Sequence, residues 1–377
     1  MRSESFSLLA GFVPSLLVFL LCLPVASYCA DEKPNLPDSL SPTHMKAAEA
    51  LDRGDNRDVL IILQGMDDPE AMLLQGMARF GLKEYTAAAR DLAAYRLREA
   101  SRYPYLDEDE KEVYRDALSI LMLAYYHSDQ LKESLGVSDE LMSIKYSREL
   151  LEFQEKVRRE MSGSGTRLSE SSDHFKAIYD GYEHGKIDRK VLSILEDAYR
   201  EIGRKMGHFP SASITVVLDT RSRFHDITRS PKWAGGLFMD GRIRIPVGGL
   251  DDFDEVEVRR VLFHEYVHAL IYSITPQCPR WVHEGMAEYL SRGSGAAGER
   301  PRLSLRVMEA AFYSSDVRLV AAAYMESYRA VKVLVDRYGF YDIKLFLEAL
   351  ADGEDAEDAF RRRFYISYDE FIEKFGA

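Results

Sequence analysis

The 377-residue chain has little cysteine: three residues, of which Cys22 and Cys29 lie in or beside an apolar N-terminal stretch. Cys278 alone belongs to the body of the protein, and a single thiol closes no intramolecular disulfide, so the fold must be held by its core. Cys278 sits in the turn Pro276-Gln277-Cys278-Pro279 with no helix N-terminus beside it to activate it. It therefore reads as a bracing cysteine, not a nucleophile. A long basic run is also missing. Arg361-Arg362-Arg363 is the only short block, and the net charge is -13. A binder of the phosphate backbone carries the opposite sign, which argues against nucleic acid as a partner.

Long hydrophobic runs are equally scarce. Only Leu8 to Leu23 is almost wholly apolar. Preceded by Arg2, interrupted by Pro14 and followed by Val25-Ala26-Ser27, this stretch has the shape of a signal-peptide core, with cleavage expected between Ser27 and Ala30. An uncleaved anchor is the alternative, because the lone Arg2 is offset by Glu4. A lipoprotein attachment at Cys29 fits less well, since bulky Tyr28 precedes it. The expectation is a signal peptide over residues 1–30, a periplasmic or secreted protein, and no membrane span once the signal is removed. With 46% hydrophobic and 29% charged residues the remainder is globular, and its length suits two domains better than one.

Residues 31–42, with Pro34, Pro37 and Pro42 among polar neighbours, read as an extended linker. Residues 43–161 are helical throughout. The clearest unit is Ala71-Met72-Leu73-Leu74-Gln75-Gly76-Met77-Ala78, a turn at Gly81-Leu82-Lys83, and Tyr85-Thr86-Ala87-Ala88-Ala89. Small residues at Gly76, Ala78 and Ala88, with Tyr85 opening the second helix, resemble a tetratricopeptide helical pair. Flanking pairs fall at residues 45–63 and 114–135. Such a domain implies either a docking surface for a protein partner or a helical spacer. Met161-Ser162-Gly163-Ser164-Gly165-Thr166 is the natural boundary.

Beyond it, residues 174–179 alternate as a strand, residues 191–206 carry a helical apolar face, and Ile214-Thr215-Val216-Val217-Leu218 is a buried strand. Residues 219–238 read as loop. Gly241-Arg242-Ile243-Arg244-Ile245-Pro246 alternates arginine with isoleucine and ends on proline, the pattern of a strand near a sheet edge. The chain from Glu255 onward is mostly helical.

One helix carries chemistry. In Arg259-Arg260-Val261-Leu262-Phe263-His264-Glu265-Tyr266-Val267-His268-Ala269-Leu270-Ile271 the two histidines stand four apart, on one helix face, where their imidazoles can grip one ion. Glu265, beside the first, reaches the same pocket without having to ligate. A zinc hydrolase needs that set: two imidazoles, and a carboxylate that accepts the proton of the attacking water. The bland alternative, two satisfied core histidines beside a surface glutamate, conflicts with Leu262, Phe263, Val267 and Leu270, which surround the carboxylate with apolar side chains. A catalytic zinc takes a third protein ligand. Ile271 and Ile274 occupy the positions where one zinc-enzyme class puts glycine and a third histidine, which excludes that class. A carboxylate from a following helix is the alternative, and Trp281-Val282-His283-Glu284-Gly285-Met286-Ala287-Glu288-Tyr289-Leu290 offers one.

Glu284-Gly285 after a tryptophan, followed by Ala287 and Tyr289, resembles the glutamate-zincin (gluzincin) pattern, in particular the peptidase MA-like family. The resemblance runs from about His174 to Gly339. It implies Zn2+ held by His264, His268 and Glu284, with Glu265 as general base and Glu288 orienting a histidine ligand. His283 is the competing ligand, but adjacent helical residues point about 100° apart and Glu284 is preferred. In related enzymes a tyrosine or histidine stabilises the oxyanion opposite the zinc; Tyr324 is the first candidate here and Tyr328 the second. The strand before the motif helix is implied to be the edge on which an extended peptide pairs. The fold class expected is α+β: a zincin-like domain, a small twisted sheet plus helices over residues 168–377, preceded by the all-α helical-repeat domain. The function implied is a zinc metallopeptidase acting on a peptide or protein substrate. The rival is a catalytically inactive zincin-like protein that serves as an exported interaction module.

Overall fold

The computed structural model describes residues 41–162, 167–180, 187–228, 230, 234–246, 255–292, 303, 305–312, 314 and 316–375. The expected signal peptide and nearly all of the expected linker lie outside these residues. The chain divides into two compact units, one before and one after residues 163–164. Among the described residues no helix is long and apolar enough to cross a membrane.

The first unit is all helix: α1 (Pro42–Asp52), α2 (Asn56–Ile62), α3 (Pro69–Gly81), α4 (Tyr85–Glu99), α5 (Glu108–His127), α6 (Leu131–Ile144) and α7 (Arg148–Met161). Its helix starts are written locally. The Ser41 and Asp68 side chains accept from the backbone N–H groups of His44 and Ala71, each followed by proline in the first turn. Asp107 and Glu110 form a reciprocal capping box. Each such cap satisfies an orphan N–H and contributes about 1 kcal/mol. Pro42, read from sequence as the end of a linker, is thus the first helical residue. Successive helices from α3 to α7 pack on their neighbours in turn. Gly76 permits a close crossing of α3 and α4: a Cβ there would stand 2.6 Å from Leu92 Cγ.

The second unit opens with β1 (Arg167–Ser171), β2 (Phe175–Asp180), α8 (Ile187–Met206), β3 (Ile214–Asp219), α9 (Arg221–Thr228), β4 (Leu237–Met239) and β5 (Arg242–Pro246). These strands form one mixed sheet in the order β1-β2-β3-β5-β4, with β2, β3 and β5 parallel and both outer pairs antiparallel. The helices that follow are α10 (Glu255–Ile274), α11 (Arg280–Arg292), α12 (Leu305–Ala311), α13 (Val317–Ala351), α14 (Ala356–Phe364) and α15 (Tyr368–Phe375). The architecture is therefore α+β, a small mixed sheet with helices after an all-helical region, consistent with a zincin-like domain.

Two expectations are corrected. Residues 219–238 are not all loop, since they contain α9 and the start of β4. Nor is β5 the edge: β3 pairs along it on one side and β4 on the other, through Leu237↔Arg244, Phe238↔Ile243 and Met239↔Arg242. Its arginines face protein, not water. Ile243 and Ile245 enter the core shared with α8 and α10, while α9 packs on β5. Arg242 and Arg244 are 1% and 0% exposed, and Asp219 accepts Arg244 at 3.3 Å and Arg223 of α9 at 3.0 Å. The strand alternates as read, but both faces are covered, and Asp219, distant in sequence, compensates the Arg244 charge that local pattern assigns to solvent.

The core places the site helices. Leu262, Tyr266, Val267, Leu270 and Ile271 of α10 are at most 1% exposed and pack with the inward residues of β2, β3 and β5. Trp281, fully buried at the start of α11, hydrogen-bonds Tyr368 through its indole N–H and lies against Phe360 and Phe371. The next turn of α11 meets α13 at Gly285, where a Cβ would collide with the Ser327 carbonyl and stand 2.6 Å from Val331 Cγ2. α11 is thus fixed at its start by an aromatic cluster and pressed onto α13 one turn later.

Candidate metal centre

His264 and His268 leave α10 on one side, and Glu284 of α11 faces them. The Nε2 atoms of His264 and His268 stand 3.6 and 3.4 Å from Glu284 Oε2. All three candidate ligand atoms lie within 4.8 Å of one another, the one such group of histidine, cysteine or carboxylate residues among the described residues. Two donors held at roughly 2.1 Å by a tetrahedral zinc stand about 3.4 Å apart, close to both imidazole–carboxylate separations. Glu284 is 8% exposed, and its Oε2, the atom both imidazoles face, is buried with no hydrogen-bond partner. A buried carboxylate oxygen faced by two imidazole nitrogens at these separations leaves room for a cation shared by all three, so these residues fit a metal ion.

The charges are arranged accordingly. Burial opposes ionisation of Glu284, but His268, His264 and Arg280 outweigh it and hold the carboxyl well below the usual carboxylate range. Arg280, one turn earlier on α11, has Nε 3.7 Å from Glu284 Oε1. Burial opposes charge on His264 as well, yet Glu284, Glu265 and Glu288 raise its pKa. The outward nitrogens are also met: Glu288 Oε1 lies 3.5 Å from His264 Nδ1, and His283 Nδ1 lies 2.5 Å from His268 Nδ1. Glu288 thus lies beside the His264 ring. His283 turns toward the back of His268, and burial pushes its pKa down to about 3.

Glu265 is 6% exposed, and its Oε2 has no hydrogen-bond partner. Burial raises its pKa, with His264, His268 and a hydrogen bond from the Phe238 backbone opposing. The segment leading into β4 is shaped around this side chain. A Cβ on Gly236 would stand 2.9 Å from Glu265 Cγ and 3.1 Å from Oε1. Glycine at 236 lets the backbone lie directly on the carboxylate. The sheet edge at the site is thus β4, a three-residue strand too short to read from periodicity.

Tyr324 on α13 lies partly buried, edge-on to Phe312 at 5.3 Å. Burial, then the charges of Glu284, Glu265 and Glu288, raise its hydroxyl well above the ordinary phenol range, so it stays a proton donor. Tyr328, the second candidate, packs its ring on Tyr289, 5.9 Å away. Cys278 is half-buried against the core, and burial pushes its thiol pKa up, as expected of a bracing cysteine.

Residues 212–371, from just before β3 to the first turns of α15, match the family model described as Peptidase MA superfamily. The matched segment contains every candidate metal ligand and is peptidase MA-like. No match is found among curated proteins.

Proposed function

We propose that the protein is a zinc metallopeptidase of gluzincin type, with His264, His268 and Glu284 as ligands and Glu265 as general base. The convergence of both imidazole Nε2 atoms on the buried Glu284 Oε2 carries the reading, and the peptidase MA-like match of the same segment supports it. When bound, zinc supplies a positive charge that lowers the pKa of a water towards about 7 and polarises a carbonyl. Glu265 takes the proton of the attacking water and passes it to the leaving amine; burial, which raises its pKa, suits it to both steps. The Tyr324 hydroxyl donates to the oxyanion that forms as the peptide carbonyl is attacked. Glu288 orients His264. An extended peptide pairs along β4, the outer strand beside Glu265.

The leader at residues 1–30 is taken as an export signal, and the helical unit as a tetratricopeptide-like docking surface for a protein partner. A generic peptide library is the direct assay. Cleavage that a chelator abolishes and added zinc restores is the expected result. A zinc-loaded, folded chain that cleaves no peptide would leave a scaffold that binds and does not cut.

A further inference from the structure

The ligand set above leaves His283 without a part, although its imidazole lies in the same cluster. Its ring plane is inclined by 17° to that of His268, with centroids 4.6 Å apart, while the two Nδ1 atoms are 2.5 Å apart. Rings stacked face to face keep their atoms roughly 3.5 Å or more apart. Nearly parallel rings with so close a nitrogen–nitrogen approach lie edge to edge instead, joined by an in-plane N–H···N hydrogen bond. Chemistry sets its direction. His268 Nε2 faces Glu284 at 3.4 Å, and a ligating nitrogen carries no proton, so the proton of a neutral His268 resides on Nδ1. That N–H donates, and His283 Nδ1 accepts with its own proton on Nε2.

We infer that His283 is the positioning residue of His268, fixing the ring's orientation and tautomer so that Nε2 is presented to the metal. The inference rests on the metal-site reading above. It also explains why a neutral ring serves here. Glu265, Glu284 and Glu288 already crowd the cluster with carboxylates, and an imidazole orients the ligand without adding another negative charge.

The test uses the full chain and two substitutions. His283→Leu removes the acceptor. His283→Asn keeps one in place, because Oδ1 of asparagine, like Nδ1 of histidine, is bonded to Cγ. Zinc dissociation constants from chelator competition, and melting temperatures of the metal-free proteins, are measured for both. H283L is expected to weaken zinc about 10- to 100-fold without moving the metal-free melting temperature, and H283N to restore most of the loss. H283L binding zinc as tightly as the wild type, or H283N as weak as H283L, would overturn the inference. Loss in both variants to the level of His264→Ala would make His283 a ligand, which overturns it too. A wild-type chain that takes up no zinc would instead overturn the site reading beneath it. If leucine prevents folding, His283→Ala replaces it in the same comparison.

Discussion

Replacing Glu265 with glutamine is expected to lower kcat by about 10²- to 10⁴-fold while the protein keeps its zinc. Glutamine preserves the shape of the side chain, and its amide oxygen can still accept the Phe238 N–H that now meets the carboxylate. It changes no metal ligand. What it removes is a carboxylate beside the imidazoles that ligates nothing in this account and can take a proton from water. Steady-state hydrolysis and zinc content of the variant are measured together. Unchanged turnover would eliminate Glu265 as the base, and zinc loss would mean that the glutamate ligates.

Gly285→Ala is expected to destabilise the second unit by about 1–3 kcal/mol and to weaken zinc binding with it. The new methyl would meet the Ser327 carbonyl and stand 2.8 Å from the Ser327 carbonyl carbon and 2.6 Å from Val331 Cγ2. Backbone cannot swing aside as a flexible side chain can, so α11 must lift from α13. Glu284, the preceding residue, moves with it. Gly136→Ala is the control: it lies within α6, and nothing stands within 4 Å of the added Cβ. There alanine is expected to be neutral or to stabilise by about 1 kcal/mol, the ordinary helix preference. Thermal unfolding and zinc titration of both variants check the contrast. G285A with wild-type melting temperature and zinc affinity would show that α11 and α13 are not in the contact described.

The two-histidine part of the candidate site was legible because its information is local, and the resemblance added Glu284. His264 and His268 share a helix face by spacing alone, and α11, which begins at Arg280, lies only a short loop away. The helix caps at Asp68-Pro69 and Asp107 are local in the same way. Features that depend on distant partners were not legible. Arg242 and Arg244 alternate like a half-exposed strand, and nothing in their neighbourhood announces Asp219 of β3 or the helix α9 that covers them. β1, with the polar run Leu168-Ser169-Glu170-Ser171, has no apolar face to betray it; it becomes a strand by pairing with β2. His283 was read as a rival ligand because spacing fixes the direction of a residue on its helix but not the neighbour that it meets. Gly236 carried a sign that could have been used: paired glycines just before a strand often mark a close approach of backbone to something else. What they approach is Glu265.

Zinc per chain, measured by elemental analysis in the wild type, in His264→Ala and in Glu284→Gln, tests the central claim most directly. The account predicts about one equivalent in the wild type, lost or greatly weakened in both variants, because each removes one of three ligands. A folded wild-type chain that holds no zinc even after incubation with the metal, or variants that retain a full equivalent, would contradict it.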